Sequence, residues 1–132
     1  MQSLILTKEQ LQQMIAHADA HAPLEACGLL AGLNSKVEAV IETTNQAQSA
    51  VRFVVEPIEQ LHAFEWMDVN GLELVGIFHS HPAGPETVSP TDVAEAAYAV
   101  AHIILCRTNG LWRARGFWIE DGTFKEIPLQ VQ

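Results

Sequence analysis

The sequence has few basic residues and no long hydrophobic run. Seven Lys and Arg stand against sixteen Asp and Glu, which gives a formal net charge of −9. Because proteins hold a phosphate backbone mainly with cations, this deficit argues against nucleic acid as a partner. No stretch reaches the roughly 20 apolar residues that a membrane-spanning helix requires, so we expect no membrane partner either.

Cysteines are scarce, and the start of the chain lacks the features of a secretory signal. The first residues, MQSLILTKEQ, have no basic start, no long apolar middle and no small-residue cleavage site, and they pass directly into a helix pattern. The two cysteines, Cys27 and Cys106, lie far apart in apolar stretches, where free buried thiols are expected. We therefore expect a cytoplasmic protein.

The few cations are not evenly spread along the chain. Arg107, Arg113 and Arg115 lie close together in the segment RTNGLWRARG. They form either a solvated strand face or a cluster that meets acidic groups, and the sequence alone leaves both alternatives open.

The length and the order of elements predict one domain over residues 1–132 with a mixed α/β (α+β) fold. Thr7 to Gln10 has the form of a capping box, followed at helical spacing by Leu11, Met14, Ile15 and Ala18, in a helix that ends before Pro23. A second helix is predicted from Pro57 to Asn70-Gly71, with a buried stripe of Ile58, Leu61 and Phe64. A third begins at Ser89, with Val93, Ala96, Ala97 and Val100 facing the core.

Seven segments have the composition of β-strands: CGLLAG, KVEAVIET, RFVVE, LELVGIFH, AHIILC, WRARGFWI and TFKEIPL. The last two are joined across Asp121-Gly122, a strong hairpin signal. Interspersed with the helices, these strands predict a central mixed β-sheet flanked by about three helices.

The strand around residue 78 ends on two histidines, His79 and His81. Side chains two apart on a strand point to the same face, so both imidazoles can reach one metal ion. Asp92, in the first turn of the next helix, is a candidate third ligand. Two imidazoles and one carboxylate leave a fourth tetrahedral position for water, which is typical of catalytic zinc.

Each of these residues also has an ordinary explanation. Ser89-Pro90-Thr91-Asp92 is by itself a good helix start, and a single histidine is more often a core or rim residue than a ligand. The remaining histidines are expected to be surface or rim residues without a role in the site: His17, His21, His62 and His102.

Amide hydrolysis at a metal also needs a base that later protonates the leaving nitrogen. Glu25 stands directly before the apolar strand CGLLAG, which can lie beside the strand that carries the histidines. It is one of several acids that could serve, and a solvated glutamate is the ordinary alternative.

Taken together, Glu25, the motif His79-Ser80-His81-Pro82 and the pair Ser89 and Asp92 resemble the JAMM (MPN-plus) metallopeptidase family. Its pattern is a distant Glu, then HxHP, six residues and SxxD, and every spacing in the second part matches. The resemblance implies a JAMM/MPN-like, cytidine-deaminase-like architecture. It also implies Zn²⁺ bound by His79, His81 and Asp92, with Glu25 as general base and acid and Ser89 stabilising the tetrahedral intermediate.

The resemblance further implies a zinc-dependent hydrolase acting at peptide or isopeptide bonds at the C terminus of ubiquitin-like proteins. The short chain is similar to stand-alone prokaryotic members, some of which act on sulfur-carrier proteins. The alternative is a catalytically silent scaffold that binds ubiquitin-like partners, since the family includes such members. They typically lose metal ligands, whereas this chain retains all of them.

Two other metal motifs fit less well. His79, His81 and Glu86 have the HxH-four-residue-Glu spacing of a cupin, but the flanking glycines and a second histidine motif are missing, and a helix is predicted where a strand should follow. A zinc deaminase requires H-x-E and a later P-C-x-x-C, and neither is present.

Overall fold

A computed structural model describes residues 3–132, and in that range the chain forms one eight-stranded mixed sheet and three helices. The helices are α1 (Lys8–His21), α2 (Pro57–Val69) and α3 (Pro90–Glu95). The strands are β1 (Leu4–Leu6), β2 (Cys27–Leu33), β3 (Lys36–Thr43), β4 (Glu73–His81), β5 (Ala101–Thr108), β6 (Leu111–Glu120), β7 (Thr123–Ile127) and β8 (Leu129–Val131). The predicted fold class, a mixed sheet with about three helices, is confirmed.

The strand order across the sheet is β7-β6-β5-β4-β2-β3-β1-β8. The central strand β4 is antiparallel to β2 on one side and parallel to β5 on the other. Because the β4–β5 connection is parallel, it must cross over the sheet, and α3 lies in that crossover. Both neighbours of β4 and the crossover helix therefore meet near its carboxyl end.

Helices α1 and α2 pack on opposite faces of the sheet. Met14 and Ala18 of α1 join one core with Leu30 and Phe78, whereas α2 joins another with Leu29 and Ile77. Adjacent residues of β2 and of β4 thus enter different cores, as the alternation of strand side chains requires. A third, smaller core lies under α3.

The predicted start of α1 is confirmed. Thr7 Oγ1 accepts a hydrogen bond from the Gln10 N–H at 3.1 Å, and Gln10 Oε1 accepts one from the Thr7 N–H at 2.8 Å. The prediction missed β1, the three-residue strand directly before this cap. Such a short strand has too few residues to show a period of two.

The predicted buried stripe of α2 was wrong at Ile58 and Leu61 and correct at Phe64. Ile58 and Leu61 are 58% and 54% exposed, and the residues that face the sheet are Ala63 and Met67, with Phe64 packed beside them. The orientation of α2 follows from its packing on the sheet, where the small Ala63 allows a close approach.

The predicted strand RFVVE was also wrong, because residues 51–56 form an irregular segment with a single bridge between Asn45 and Val55. Its backbone binds the stretch directly after β3: the Gln46 N–H donates to the Val54 carbonyl and the Glu56 N–H to the Thr44 carbonyl. The chain closes a loop here instead of continuing a ladder, and Phe53 and Val55 are left beside a cavity.

Two further predicted boundaries moved. The segment TFKEIPL divides at Pro128, which has no N–H for a ladder: β7 before it pairs with β6, and β8 after it pairs with β1. Helix α3 ends at Glu95, earlier than predicted, and Ala97 is exposed. Tyr98 holds the following segment against α2 through a hydrogen bond from Gln60.

Two residues of the arginine cluster meet acidic groups. Arg115 donates to both carboxylate oxygens of Glu126 at 2.9 and 2.8 Å, and Arg107 lies 3.9 Å from Asp19 and over the Trp112 ring. None of the helices within residues 3–132 is long and apolar enough to cross a membrane.

We expect the substitution Gly28→Ala to lower the free energy of unfolding by about 2 kcal/mol. A Cβ at position 28 would lie 2.2 Å from the Phe78 ring and 2.6 Å from the Ile41 carbonyl oxygen, so the sheet must shift to admit it. Urea denaturation measures the loss. Gly122→Ala is the control, because its Cβ meets nothing within 4 Å and only the left-handed backbone is strained, at about 1 kcal/mol. Equal losses in the two variants would contradict close packing at Gly28.

Candidate metal centre

The carboxyl end of β4 brings two imidazoles together inside the protein. His79 and His81 are 0% and 2% exposed, and their Nε2 atoms lie 3.0 Å apart. Both side chains point to the face of the sheet that α2 and α3 cover, as their spacing predicted.

Helix α3 places a carboxylate against both rings. Asp92 Oδ1 is 3.2 Å from His79 Nε2, and Asp92 Oδ2 is 3.1 Å from His81 Nε2. Asp92 is the third residue of the helix, and a reciprocal capping box fixes it: its N–H donates to Ser89 Oγ and its Oδ2 accepts from the Ser89 N–H, each at 3.0 Å. Helix capping and the approach to the histidines are therefore compatible.

The separations of these three groups match the requirements of a small tetrahedral ion. Zinc binds nitrogen and oxygen ligands at about 2.0–2.1 Å, which places neighbouring ligand atoms of a tetrahedron about 3.3 Å apart. The observed separations of 3.0, 3.1 and 3.2 Å are close to that value. Two imidazoles and a carboxylate are also the donor set of catalytic zinc sites.

Glu25 reaches the same place from β2. Cys27, the first residue of β2, pairs with His79, so Glu25 lies just beyond the paired region and beside the histidines. One ligand atom each from Glu25, His79 and His81 lie within 4.8 Å of one another. Glu25 is 3% exposed, and its Oε1 has no hydrogen-bond partner among the described residues. A buried unpaired carboxylate oxygen is costly and indicates a missing partner.

A reciprocal pair of hydrogen bonds ties this end of β2 to β4. The Ala26 N–H donates to Ser80 Oγ at 2.8 Å, and the Ser80 N–H donates to the Ala26 carbonyl at 3.0 Å. Ser80 thus points away from His79 and His81, as the alternation of side chains along a strand requires. It anchors the residue next to Glu25.

Asp92, His79 and His81 shift one another's pKa values. Burial raises the pKa of Asp92, but hydrogen bonds from His79 and His81 outweigh it and hold that pKa well below its usual range. Burial lowers the pKa of His79. Burial also acts to lower the pKa of His81, yet the bonds to Asp92 and to the Pro85 carbonyl outweigh it and raise that pKa. The carboxylate of Asp92 is therefore ionised, as a metal ligand must be.

Burial raises the pKa of Glu25 to about 8; the nearby His81 acts in the opposite direction and Asp92 in the same direction as burial. In the protein without a bound cation, Glu25 therefore keeps its proton at neutral pH. A nearby cation favours the ionised form of a carboxyl group, so metal binding and ionisation of Glu25 support each other.

The Nδ1 atoms of the two histidines, which point away from Asp92, differ in their contacts. His81 Nδ1 lies 2.8 Å from the Pro85 carbonyl oxygen, the kind of contact that orients a metal-binding imidazole. His79 Nδ1 has no partner among the described residues, but the Phe53 ring stacks on His79 with centroids 4.4 Å apart. The sequence patterns did not identify Phe53, because it lies 26 positions before His79 in the chain.

A cavity of about 200 Å³ adjoins Asp92. The segment after β3, the end of α3, the segment following α3 and the start of β5 line it, with side chains that include Phe53, Val55, Ala97, Tyr98 and His102. Its walls are mostly apolar, and Asp92 lies on one side of it.

Two of the remaining histidines contradict the prediction of surface or rim positions. His17 is buried, and its Nε2 lies 3.0 and 3.2 Å from the carbonyl oxygens of Cys27 and Thr43. His102 is also buried, and burial, with the nearby His79 as a smaller cause, lowers its pKa to about 4. His17 lies on the buried face of α1, and His102 lies within β5. The burial of both depends on tertiary structure and not on local spacing. His21 and His62 are exposed, as predicted.

Comparison with known proteins gives consistent matches. The family model described as prokaryotic homologs of the JAB domain matches residues 7–118. The probable TtuB-protein conjugate cleaving protease of Thermus thermophilus is 35% identical over 97% of this chain and 82% of its own length. The CysO-cysteine peptidase of Mycobacterium tuberculosis is 34% identical over 97% and 90%. The solution structure of protein DSY2949 from Desulfitobacterium hafniense is 34% identical, with a TM-score of 0.88 over 98% of this chain and 92% of that one.

We expect Glu25→Gln to stabilise the protein when metal is removed by a chelator. The folded-state pKa of about 8 lies above the unfolded value of 4.5. The wild type therefore loses stability as the pH rises from 4.5 to 8, because the unfolded chain ionises first. The neutral amide has no such loss. Thermal unfolding should show a Tm increase of about 4 °C or more at pH 8.5, and less than half of that at pH 5.

The exposed Glu38→Gln is the matched control and should leave the Tm unchanged at both pH values. A Tm difference for Glu25→Gln that is the same at pH 5 and pH 8.5 would rule out a raised pKa for Glu25.

Proposed function

This chain belongs to the family of prokaryotic homologs of the JAB domain, and from that premise we propose that it is a JAMM-type zinc metallopeptidase. It hydrolyses peptide or isopeptide bonds at the C terminus of a ubiquitin-like protein, including sulfur carriers. The two relatives named as a conjugate-cleaving protease and a cysteine peptidase support a hydrolase of this class.

One observation carries the proposal: four side chains, of Glu25, His79, His81 and Asp92, converge at the carboxyl end of β4. The Nε2 atoms of His79 and His81 and the carboxylate of Asp92 lie 3.0–3.2 Å apart, with Glu25 at their edge. We assign the first three as zinc ligands and Glu25 as the acid–base residue. Asp92 already fills the gap between the imidazoles, whereas Glu25 retains an oxygen without a partner among the described residues.

Zinc bound at this site would supply a water of lowered pKa and an electrophile for the substrate carbonyl. Glu25 would accept the proton of the attacking water and pass it to the leaving nitrogen. Both transfers require a carboxyl group whose protonated and ionised forms are close in free energy near neutral pH. The apolar surroundings of Glu25 and the opposing influence of a nearby cation together provide this balance.

We assign Ser89 to stabilisation of the oxyanion. Its Oγ accepts the Asp92 N–H, a bond that does not use the hydroxyl hydrogen. That hydrogen can therefore be donated to an oxyanion that forms beside the ligands, an interaction worth about 3 kcal/mol at comparable sites. Capping fixes the Ser89 side chain in place before substrate binds.

The cavity beside Asp92 would receive the substrate's C-terminal tail. An extended tail ending in glycines fits a narrow space with apolar walls, and the backbone of residues 53–55 lies along one side. The free sheet edges, β7 and β8, are separated from β4 by other strands, so a tail near the ligands cannot be added at either edge.

We propose that residues 1–132 form one catalytic domain. We further propose that it acts in the cytoplasm, where its free cysteines, Cys27 and Cys106, stay reduced.

We expect the zinc-loaded protein to shorten at least one ubiquitin-like protein whose C-terminal Gly-Gly is extended by an amino acid or a lysine-linked peptide. Mass measurement of a panel of such substrates identifies the released group. An excess of chelator should abolish cleavage, and added Zn²⁺ should restore it. If every substrate in a broad panel stays intact while zinc is bound, the peptidase assignment fails and the scaffold alternative is favoured.

We expect Glu25→Gln to retain about one zinc per chain and lose at least a hundredfold in kcat. His81→Ala should lose both zinc and activity, because it removes a ligand. Metal analysis and turnover on the same preparations separate the two effects. Glu86→Gln is the control: Glu86 is exposed, and it is the acid that a cupin motif would use as a ligand. Loss of zinc in Glu86→Gln, or unchanged turnover in Glu25→Gln, would contradict these assignments.

A further inference from the structure

One buried amide organises the loop between β3 and α2. The Asn45 side chain is buried and makes four hydrogen bonds. Its Nδ2 donates to the carbonyl oxygens of Glu25 at 3.0 Å and Arg52 at 3.1 Å. Its Oδ1 accepts from the N–H groups of Ala47 and Val54, both at 3.0 Å. Both polar atoms of the amide are thus engaged, which is the condition under which a buried polar side chain rigidifies its surroundings.

Two of these bonds enclose Phe53. Asn45 binds the carbonyl of Arg52, the residue before Phe53, and the N–H of Val54, the residue after Phe53. The Phe53 backbone is therefore fixed on both sides, and its ring stacks on His79 at 23° between planes. The position of this aromatic wall depends on the amide of Asn45.

The same loop holds the main chain of Glu25. Its carbonyl accepts from Asn45 Nδ2, and its N–H donates to the Ser49 carbonyl at 2.8 Å. Together with the Ala26–Ser80 pair, these bonds fix the backbone that carries the Glu25 side chain from both directions. In contrast, the Glu25 carboxyl group makes no bond through Oε1 to any described residue. Its placement therefore depends on its backbone.

We propose that Asn45 is a positioning residue for the hydrolytic reaction and that it acts through Glu25. This inference rests on the proposed function, because it assigns Glu25 the proton transfers. A displacement of about 1 Å between a base and the attacking water is enough to lower a rate a hundredfold. The ordinary alternative is that Asn45 only stabilises its own loop, as Asx turns do through the bond to residue i+2.

Asn45→Asp tests the link with the smallest change in shape. It keeps the acceptor for Ala47 and Val54 but replaces the two N–H donors with an oxygen that faces the carbonyls of Glu25 and Arg52. With the extended ubiquitin-like substrate that the wild type cleaves, we expect kcat to fall at least tenfold while KM rises less than threefold. Zinc content should stay at the wild-type level. Gln46→Ala, with an exposed side chain in the same loop, should match the wild type.

A double-mutant cycle separates positioning from a purely structural role. If Asn45 acts through Glu25, adding Asn45→Asp to Glu25→Gln should lower the residual kcat by less than twofold. Multiplicative losses would overturn the proposal, as would a loss carried mainly by KM. If Asn45→Asp fails to fold, its thermal unfolding shows no normal Tm. Asn45→Ser, which places no side-chain oxygen against the carbonyls of Glu25 and Arg52, then replaces it in the same cycle.

A measurement without substrate keeps this inference distinct from the proposed function. In the zinc-loaded protein, the Glu25 amide, which donates to Ser49, should exchange its hydrogen at least tenfold faster in Asn45→Asp than in Gln46→Ala. If the wild type cleaves no substrate of the panel, the proposed function fails and this exchange alone decides whether Asn45 holds Glu25. Unchanged exchange would overturn the inference in either case.

Discussion

The placement of the Asp92 carboxylate between two buried imidazoles is the interaction on which the rest of the site depends. His79 and His81 are buried, and a buried polar side chain without a hydrogen-bond partner lowers the stability of the fold. Asp92 meets both Nε2 atoms at 3.1–3.2 Å and is itself held by the Ser89 cap. The crossover helix α3 is thereby tied to the end of β4, although it is only six residues long. A local helix-capping motif thus fixes a long-range arrangement.

The other side of the site comes from β2, which must lie close to β4 for Glu25 to reach the histidines. Gly28 makes room for the Phe78 ring, and the Ala26–Ser80 bonds hold the strand ends together. The two faces of β4 therefore make different contacts: His79 and His81 meet Asp92, whereas the intervening Ser80 bonds to the neighbouring strand end at Ala26. The sheet thus carries both histidines and holds the backbone next to Glu25, the kind of rigid support that catalytic geometry requires.

How far the sequence predicts this site depends on how local each contact is. His79, His81, Ser89 and Asp92 follow from strand alternation and a capping motif within fourteen residues, and the fold class follows from the element order. Glu25 stood out among the acids only through the family resemblance, because 54 residues separate it from His79. The contacts of Asn45 and Phe53 lay outside any local pattern, since both act across the loop that was predicted as a strand.

The errors in the helices have the same origin. The exposed Ile58 and Leu61 show that an apolar residue at helical spacing does not identify the buried face when Ala63 and Met67 offer a closer fit to the sheet. The buried His17 and His102 likewise depend on which strand face each element covers. Local chemistry predicts where elements begin, and packing decides which way they turn.

The outer strand β7 has a consequence for self-association. Its Lys125 and Glu126 are exposed, and Arg115 of the neighbouring strand is bound to Glu126. Charged side chains on an unpaired edge discourage a second copy from adding its own strand there, which protects the protein against ribbon-like aggregation at high concentration.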